Sequence, residues 1–362
     1  MVQGVALRDG EVEPSGGGAR HRRVLVALGH PVAGALRQGA CIPLQAAFDA
    51  QHPLDAALSP DGARANLARV GWQPAQTQAA SLDAAVKDGN THIGDDWQAL
   101  VRHPDIALVS FTGSTAAGRK IAAAAGGAPK RLVLELGGNA PVIVYDDIDL
   151  EAALPILTNG VLFNAGQECM SATRMLVSEG IHDTFVAALA DSLRATRVGD
   201  AADPETVLGP LISATQRDRV SALVDGRPAG TEVLTGGRAV DGPGYFYEPT
   251  LITGLDQDDD LVQQEIFGPV ATVQTFADEA DALAKANAVE QGLAASVWTR
   301  DIGRALRNVN AIDSGVVWVN NHMAVGPEGP LGGFKGSGYG KEGGAAGLEE
   351  FTRTKQVVVS LS

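Results

Sequence analysis

The sequence predicts an α/β fold built on a largely parallel sheet, and three observations predict it. From about residue 98 onward, short β-branched runs alternate with stretches of helical length, the pattern of successive βα units rather than of hairpins. Several of the short runs, such as Pro141-Val142-Ile143-Val144-Tyr145, are apolar at consecutive positions, as strands buried on both faces are. One run ends in Thr112-Gly113-Ser114 and opens directly into an Ala-rich stretch. That is a strand, Gly turn and helix N-terminus, where unpaired N–H groups and the helix dipole face an anion. With 362 residues, 45% hydrophobic and 20% charged, the chain is long enough for two cores.

Taken in order, residues 1–95 are the least patterned. Gly16-Gly17-Gly18-Ala19-Arg20-His21-Arg22-Arg23 reads as a basic lead-in, residues 24–28 as one short strand, and residues 63–70 as a helix. Beyond residue 98 a strand is expected at 107–111 and a helix at 115–125. The Gly113-to-Lys120 stretch brushes against a P-loop pattern. It is rejected because Arg119 stands where the lysine belongs and Ile121 where the metal-binding hydroxyl belongs. Strands are then expected at 132–135, 141–145, 175–177, 249–255, 270–276, 294–298 and 316–320. Helices are expected at 149–162, with Asp147 or Asp149 near the cap, and at 182–197, 213–225, 279–290 and 303–312. The acidic run 256–260 reads as a solvated loop, the glycines around Tyr339 as a closing loop, and residues 356–361 as a final strand. An exposed apolar terminal strand needs a partner.

The formal net charge of −15 argues against nucleic-acid and anionic-membrane partners, because phosphate binding needs clustered Lys and Arg. Two cysteines, no signal-like N-terminus and no membrane-length apolar run predict a reducing, cytoplasmic setting without disulfides. No metal is expected.

Three stretches carry chemistry. Phe163-Asn164-Ala165-Gly166-Gln167-Glu168-Cys169 presents one of the two cysteines on a short Gly-containing loop, near backbone N–H groups that favour its thiolate. Leu132-Val133-Leu134-Glu135-Leu136-Gly137-Gly138-Asn139-Ala140-Pro141 sets one carboxylate among leucines. Burial there should raise its pKa toward neutrality, as suits a base acting on water. Gln263-Gln264-Glu265-Ile266-Phe267-Gly268-Pro269 places a carboxylate and an aromatic before a turn.

In that order these stretches resemble the motif series of the NAD(P)-dependent aldehyde dehydrogenase superfamily. The resemblance extends upstream through Val109-Ser110-Phe111-Thr112-Gly113-Ser114-Thr115. Downstream it runs through Pro330-Leu331-Gly332-Gly333-Phe334-Lys335-Gly336-Ser337-Gly338-Tyr339-Gly340, so it covers about residue 100 to the C-terminus. It implies a parallel-sheet catalytic domain at 135–340, a partial Rossmann-like dinucleotide-binding remnant at 96–134, a tail with an oligomerisation strand at 341–362, and an unmatched region at 1–95. The family's Pro-Trp-Asn stretch, with its oxyanion-binding Asn, and its Lys-Pro-Ser stretch, with its ribose-binding Lys, do not occur in 1–95. On that ground the chain as written is expected to bind NAD weakly and to oxidise aldehydes slowly or not at all, while its Cys169 domain folds.

The resemblance also implies roles. Cys169 attacks an aldehyde to give a hemithioacetal, hydride leaves for NAD (NADP stays open), and Glu135 activates the water that hydrolyses the thioester. Thr112, Gly113, Ser114, Leu136, Glu265 and Phe267 line the cofactor, with Glu265 on the nicotinamide ribose, while Asn320 and His322 lie near the substrate funnel. Motif wording is nearest to the aminobutyraldehyde and betaine aldehyde dehydrogenase branch, so the substrate expected is a small aldehyde, an aminoaldehyde by branch. The partner expected is a second copy of the chain, as dimer or tetramer. Two alternatives stand beside this reading: an inactive or structural derivative of the family, and a cofactor-independent thiol esterase using Cys169 and Glu135.

Overall fold

Residues 2–3, 23–28 and 101–360 are described by the structure, a computed structural model. The chain divides into two units, Met1–Ser110 with Arg119–Arg131, and Phe111–Gly118 with Leu132–Ser362. In the first unit β1 (Val2–Gln3) pairs antiparallel with β2 (Arg23–Leu28), the strand expected at 24–28, in the register Val2 to Ala27. The helix expected at 63–70 and Cys41 lie outside the described residues. β3 (Ile106–Thr112) and α1 (Thr115–Ala125) run where the sequence placed them.

The second unit is organised on a seven-stranded sheet in the order β12-β11-β5-β6-β9-β8-β7. Its strands are β5 (Pro141–Val144), β6 (Arg174–Ser178), β7 (Glu232–Thr235), β8 (Thr250–Thr253), β9 (Val270–Phe276), β11 (Ala294–Trp298) and β12 (Val316–Val319). Every pairing is parallel except β7 with β8 at one edge. Alternate residues of β5 explain its unbroken apolar run. Val142 and Val144 pack with Leu157 and Val161 of α2 (Leu150–Leu162) and with Phe185, Leu189 and Leu193 of α3 (His182–Arg194). Ile143 packs on the opposite face, with Ala282 and Ala286 of α6 (Glu279–Asn287). Both faces are therefore covered, and each large side chain buried this way contributes about 1.5–3 kcal/mol.

Helix starts follow cap chemistry. Asp149, rather than Asp147, caps α2 by accepting from Ala152 N; Ser213 caps α4 (Ala214–Asp225); Asp278 caps α6; and Asp301 caps α7 (Ile302–Ala311) through Gly303 N and Arg304 N. Asp147 instead accepts from Thr299 Oγ1 and Arg300 N.

Two segments at the C-terminal end differ, within a single chain, from the sequence reading. The loop expected around Tyr339 is a strand, β14 (Gly338–Tyr339), antiparallel to β4 (Arg131–Glu135) with Gly338 opposite Glu135. Residues 356–360 belong to no strand, and Val357, Val358 and Val359 stand 72–80% exposed. A strand exists only where its N–H and C=O groups meet a partner, and this segment meets none among the described residues. Among the described residues, no helix is long and apolar enough to cross a membrane.

Candidate active site around Cys169

β4 delivers Glu135 to its C-terminal end, and the chain then turns through Leu136, Gly137 and Gly138 into β5. β14 and the residue before it clamp this turn: Leu136 N donates to Ser337 O at 3.0 Å and Ser337 Oγ donates to Gly137 O at 2.6 Å. The Thr112-Gly113-Ser114 turn joins the same place, with Gly113 N donating to Glu135 O at 3.0 Å. Leu136, expected beside the cofactor, is buried, and its side chain fills the space over Gly118 of α1. Ser114 caps α1 through Ala117 N, whereas the Thr115 and Ala116 amides of that first turn make no hydrogen bond among the described residues.

The cysteine arrives from the other side. α2 ends at Leu162, and Asn164, Ala165 and Gly166 then take φ of 51°, 57° and 68°, a left-handed corner that Gln167 braces through Asn164 O and Ile212 N. Two non-glycine residues in this region cost about 1–2 kcal/mol each, strain of the kind that gathers at functional sites. The corner brings the Cys169 carbonyl so close to Gly138 that a Cβ on Gly138 would lie 1.9 Å from the carbonyl oxygen. No residue but glycine fits, which is why the motif carries a glycine there.

Cys169 is half-buried, and Sγ donates to Glu168 Oε1 at 3.2 Å. Burial raises the thiol pKa well above its ordinary value. The nearby Glu168, its hydrogen bond to the thiol, and Glu265 and Glu135 add to that. Against the expectation that nearby N–H groups favour the thiolate, burial above all, and then the surrounding carboxylates, favour the thiol. The Cys169 N–H makes no hydrogen bond among the described residues and is free to meet an oxyanion.

Glu135 behaves as its apolar surroundings predict. Burial first, then the neighbouring Glu342, raise its pKa to about 8, against an opposing pull from Lys341. Its Oε1 is buried without a partner among the described residues, facing space that a Cβ on Gly332 would enter at 2.8 Å. A buried carboxylate oxygen with an open hydrogen-bonding position can hold and deprotonate a water. Glu265 lies against the same glycines, Oε1 accepting from Gly138 N at 2.9 Å, and burial lifts its pKa to about 7. Its backbone is gripped from α4: Arg219 donates to the carbonyls of Glu265 and Ile266, and Gln216 to those of Ile266 and Phe267. Phe267 is thus held at φ 58°. Cys169 and Glu265 therefore meet at Gly138, and the Glu135 carboxyl is near enough to Cys169 to help raise its pKa.

Asn320 and His322, expected near the substrate funnel, are each held by local hydrogen bonds. Asn320 pairs both ways with the backbone of Thr299, and His322 is buried with both ring nitrogens bonded. Glu168, Gln216, Arg219 and Ser337 were absent from the sequence expectations. Glu168 and Ser337 lay inside quoted motifs without a role of their own; Gln216 and Arg219 lay outside them.

These features match known proteins. Residues 88–357 match the profile of the aldehyde dehydrogenase family. The chain is similar to an aldehyde dehydrogenase of Emericella nidulans, 43% identical over 261 residues, covering 72% of this chain and 52% of the relative. It is similar to a betaine aldehyde dehydrogenase of Bacillus subtilis, 42% identical, covering 73% and 54%. Among solved structures it resembles a Staphylococcus aureus betaine aldehyde dehydrogenase in complex with NAD+, with TM-score 0.69 and 39% identity over 70% of this chain and 53% of that one. An NAD-dependent aldehyde dehydrogenase of Sinorhizobium meliloti gives TM-score 0.70 at 40% identity, covering 71% and 52%. The chain spans about half the length of the curated relatives it matches.

Proposed function

The chain belongs to the aldehyde dehydrogenase family, and from that premise we propose that it oxidises a small aldehyde to a carboxylate with NAD through a covalent adduct on Cys169. The meeting of Cys169 and Glu265 at Gly138, with the buried Glu135 carboxyl close enough to act on the same thiol, carries this reading. Cys169 adds to the aldehyde carbonyl as its thiol proton passes to Glu168, whose Oε1 already accepts its hydrogen bond. The Cys169 N–H meets the resulting oxyanion. NAD, when bound, takes the hydride as that oxyanion collapses, leaving a thioester on Sγ. Glu135 then removes a proton from water as the water attacks the thioester, and Cys169 is released.

The residues present fit NAD at two points. The open amides of Thr115 and Ala116 suit a phosphate, and a carboxylate with a pKa near neutrality, Glu265, suits a ribose hydroxyl. Thr112, Gly113 and Ser114 shape the first point and Phe267 flanks the second, while Leu136 supports the turn from behind. Because betaine aldehyde dehydrogenases recur among the relatives, we extend the proposal to a cationic aminoaldehyde substrate, and to a homo-oligomer that pairs residues 356–360 across subunits.

The test is direct. Purified chain mixed with NAD and an aminoaldehyde should produce reduced nicotinamide, followed by its absorbance, and calorimetry should register NAD binding. Ester hydrolysis without NAD, in the absence of any nicotinamide reduction, would replace this reading with the thiol esterase; neither activity, with a folded Cys169 unit, would replace it with a structural role.

A further inference from the structure

His322 lies about 150 residues from the nucleophile in sequence, yet it touches the residue beside it. Its Nε2 is 2.8 Å from Met170 O, and its Nδ1 is 3.0 Å from Ser296 Oγ, which in turn lies 3.0 Å from Trp298 Nε1. Proton placement along this chain has one solution. Indole Nε1 can only donate and a carbonyl oxygen can only accept. Ser296 therefore accepts from Trp298 and gives its own proton to His322 Nδ1, and Nε2 carries the ring hydrogen to Met170. Burial keeps the ring uncharged, lowering its pKa to about 4. The ring is also fixed on its faces and edge. Trp318 packs against it at 4.9 Å between centroids, and a Cβ on Gly160 would stand 3.1 Å from Cδ2.

We infer that His322 is a positioning residue for Cys169. Through Met170 O it holds the Met170–Ser171 peptide, one residue beyond the nucleophile, while Gly138 receives the Cys169 carbonyl of the peptide before it. The inference rests on the proposed nucleophilic role of Cys169. It also explains why a histidine is spent in a buried place: only a ring with opposed nitrogens spans from a strand hydroxyl to a loop carbonyl 3 Å away on its far side. A misplacement of about 1 Å in a reacting group costs on the order of 10²-fold, so the anchor bears on rate rather than on substrate binding.

The test uses the full chain and three readouts. In 15N-histidine-labelled protein, one of the 7 histidines should show an exchange-protected Nε2–H and an unprotonated Nδ1, a signal lost in His322→Gln. An averaged or Nδ1–H tautomer would overturn the inference. His322→Leu should speed alkylation of Cys169 by iodoacetamide severalfold as the loop loosens, and should lower kcat on an aldehyde by about 10- to 100-fold with KM within about twofold. His322→Gln, which keeps a donor near the Nε2 position, should stay within about threefold of the wild type in both. Equal effects of the two variants would reduce His322 to packing and sink the inference. If the wild type turns over no aldehyde while the tautomer and alkylation behave as stated, the proposed function fails and the positioning role stands.

Discussion

Replacing Gly138 with alanine places a methyl 1.9 Å from the Cys169 carbonyl oxygen, 3.1 Å from its carbonyl carbon and 3.4 Å from Leu293 Cβ. The first contact is with backbone, so no side chain can swing aside to relieve it. Restoring ordinary contact requires the β4–β5 turn or the Cys169 loop to move by more than about 1 Å. Overpacking of this kind costs about 1–3 kcal/mol, and in a unit of this size each kcal/mol lowers Tm by about 2–4 °C. The same displacement carries Sγ away from Glu135 and Glu265, which should reduce turnover by about 10²-fold. Calorimetric melting and steady-state aldehyde oxidation measure the two effects. Gly127→Ala serves as the control, because a methyl there meets nothing within 4 Å and should stay within about 0.5 kcal/mol of the parent. If Gly138→Ala keeps its Tm and its kcat within about threefold of the parent, the close approach of the two backbones is not what positions the nucleophile.

Two further outcomes follow from buried charge. Burial raises the Glu135 pKa from 4.5 to about 8, so the protonated form is the one the fold favours. Its stabilising contribution is fully present below about pH 4.5 and is lost as pH rises through about 8. Urea unfolding across that window should show a loss of a few kcal/mol that is absent in Glu135→Gln. The rate of thioester hydrolysis should rise over the same window in the parent, and fall by about 10²- to 10⁴-fold in the variant. Arg174 is fully buried with no carboxylate partner among the described residues; its guanidinium donates to Asn139 O and to Lys285 O and Ala286 O in the last turn of α6, and burial lowers its pKa to about 9. Arg174→Ala leaves those carbonyls unpaired beside a void and should cost about 3–5 kcal/mol by urea unfolding. A loss under about 1 kcal/mol would mean that water replaces the guanidinium.

The sheet was legible because its strands, buried on both faces, are apolar without interruption, as in Val142-Ile143-Val144. Helix starts were legible where Asp149, Ser213, Asp278 and Asp301 supply caps. Cys169, Glu135 and Glu265 were legible as motif residues, and the raised Glu135 pKa followed from its leucines. What the sequence withheld is long-range or directional. Nothing local says that the Cys169 thiol is buried or that Glu168 turns its carboxyl onto it, so the upward direction of its pKa could not be read. Nothing local says that His322 reaches Met170, that Gln216 and Arg219 of α4 hold the carbonyls of Glu265 to Phe267, or that Gly338 pairs with Glu135 some 200 residues earlier. The final segment is a related case: the apolar run of Val357, Val358 and Val359 is a strand sequence, and pairing is a property of two segments, the second of which lies outside the described residues of one chain.

A single mass-spectrometric measurement on Glu135→Gln bears on the chemistry most directly. With the hydrolytic base removed, mixing the variant with NAD and an aminoaldehyde should yield one equivalent of reduced nicotinamide in a burst, and an acyl group on the peptide carrying Cys169. Cys169→Ala should give neither product, and Cys41→Ala both. An acyl group mapped to any other residue, or a nicotinamide burst that persists in Cys169→Ala, would contradict the assignment of Cys169 as the nucleophile.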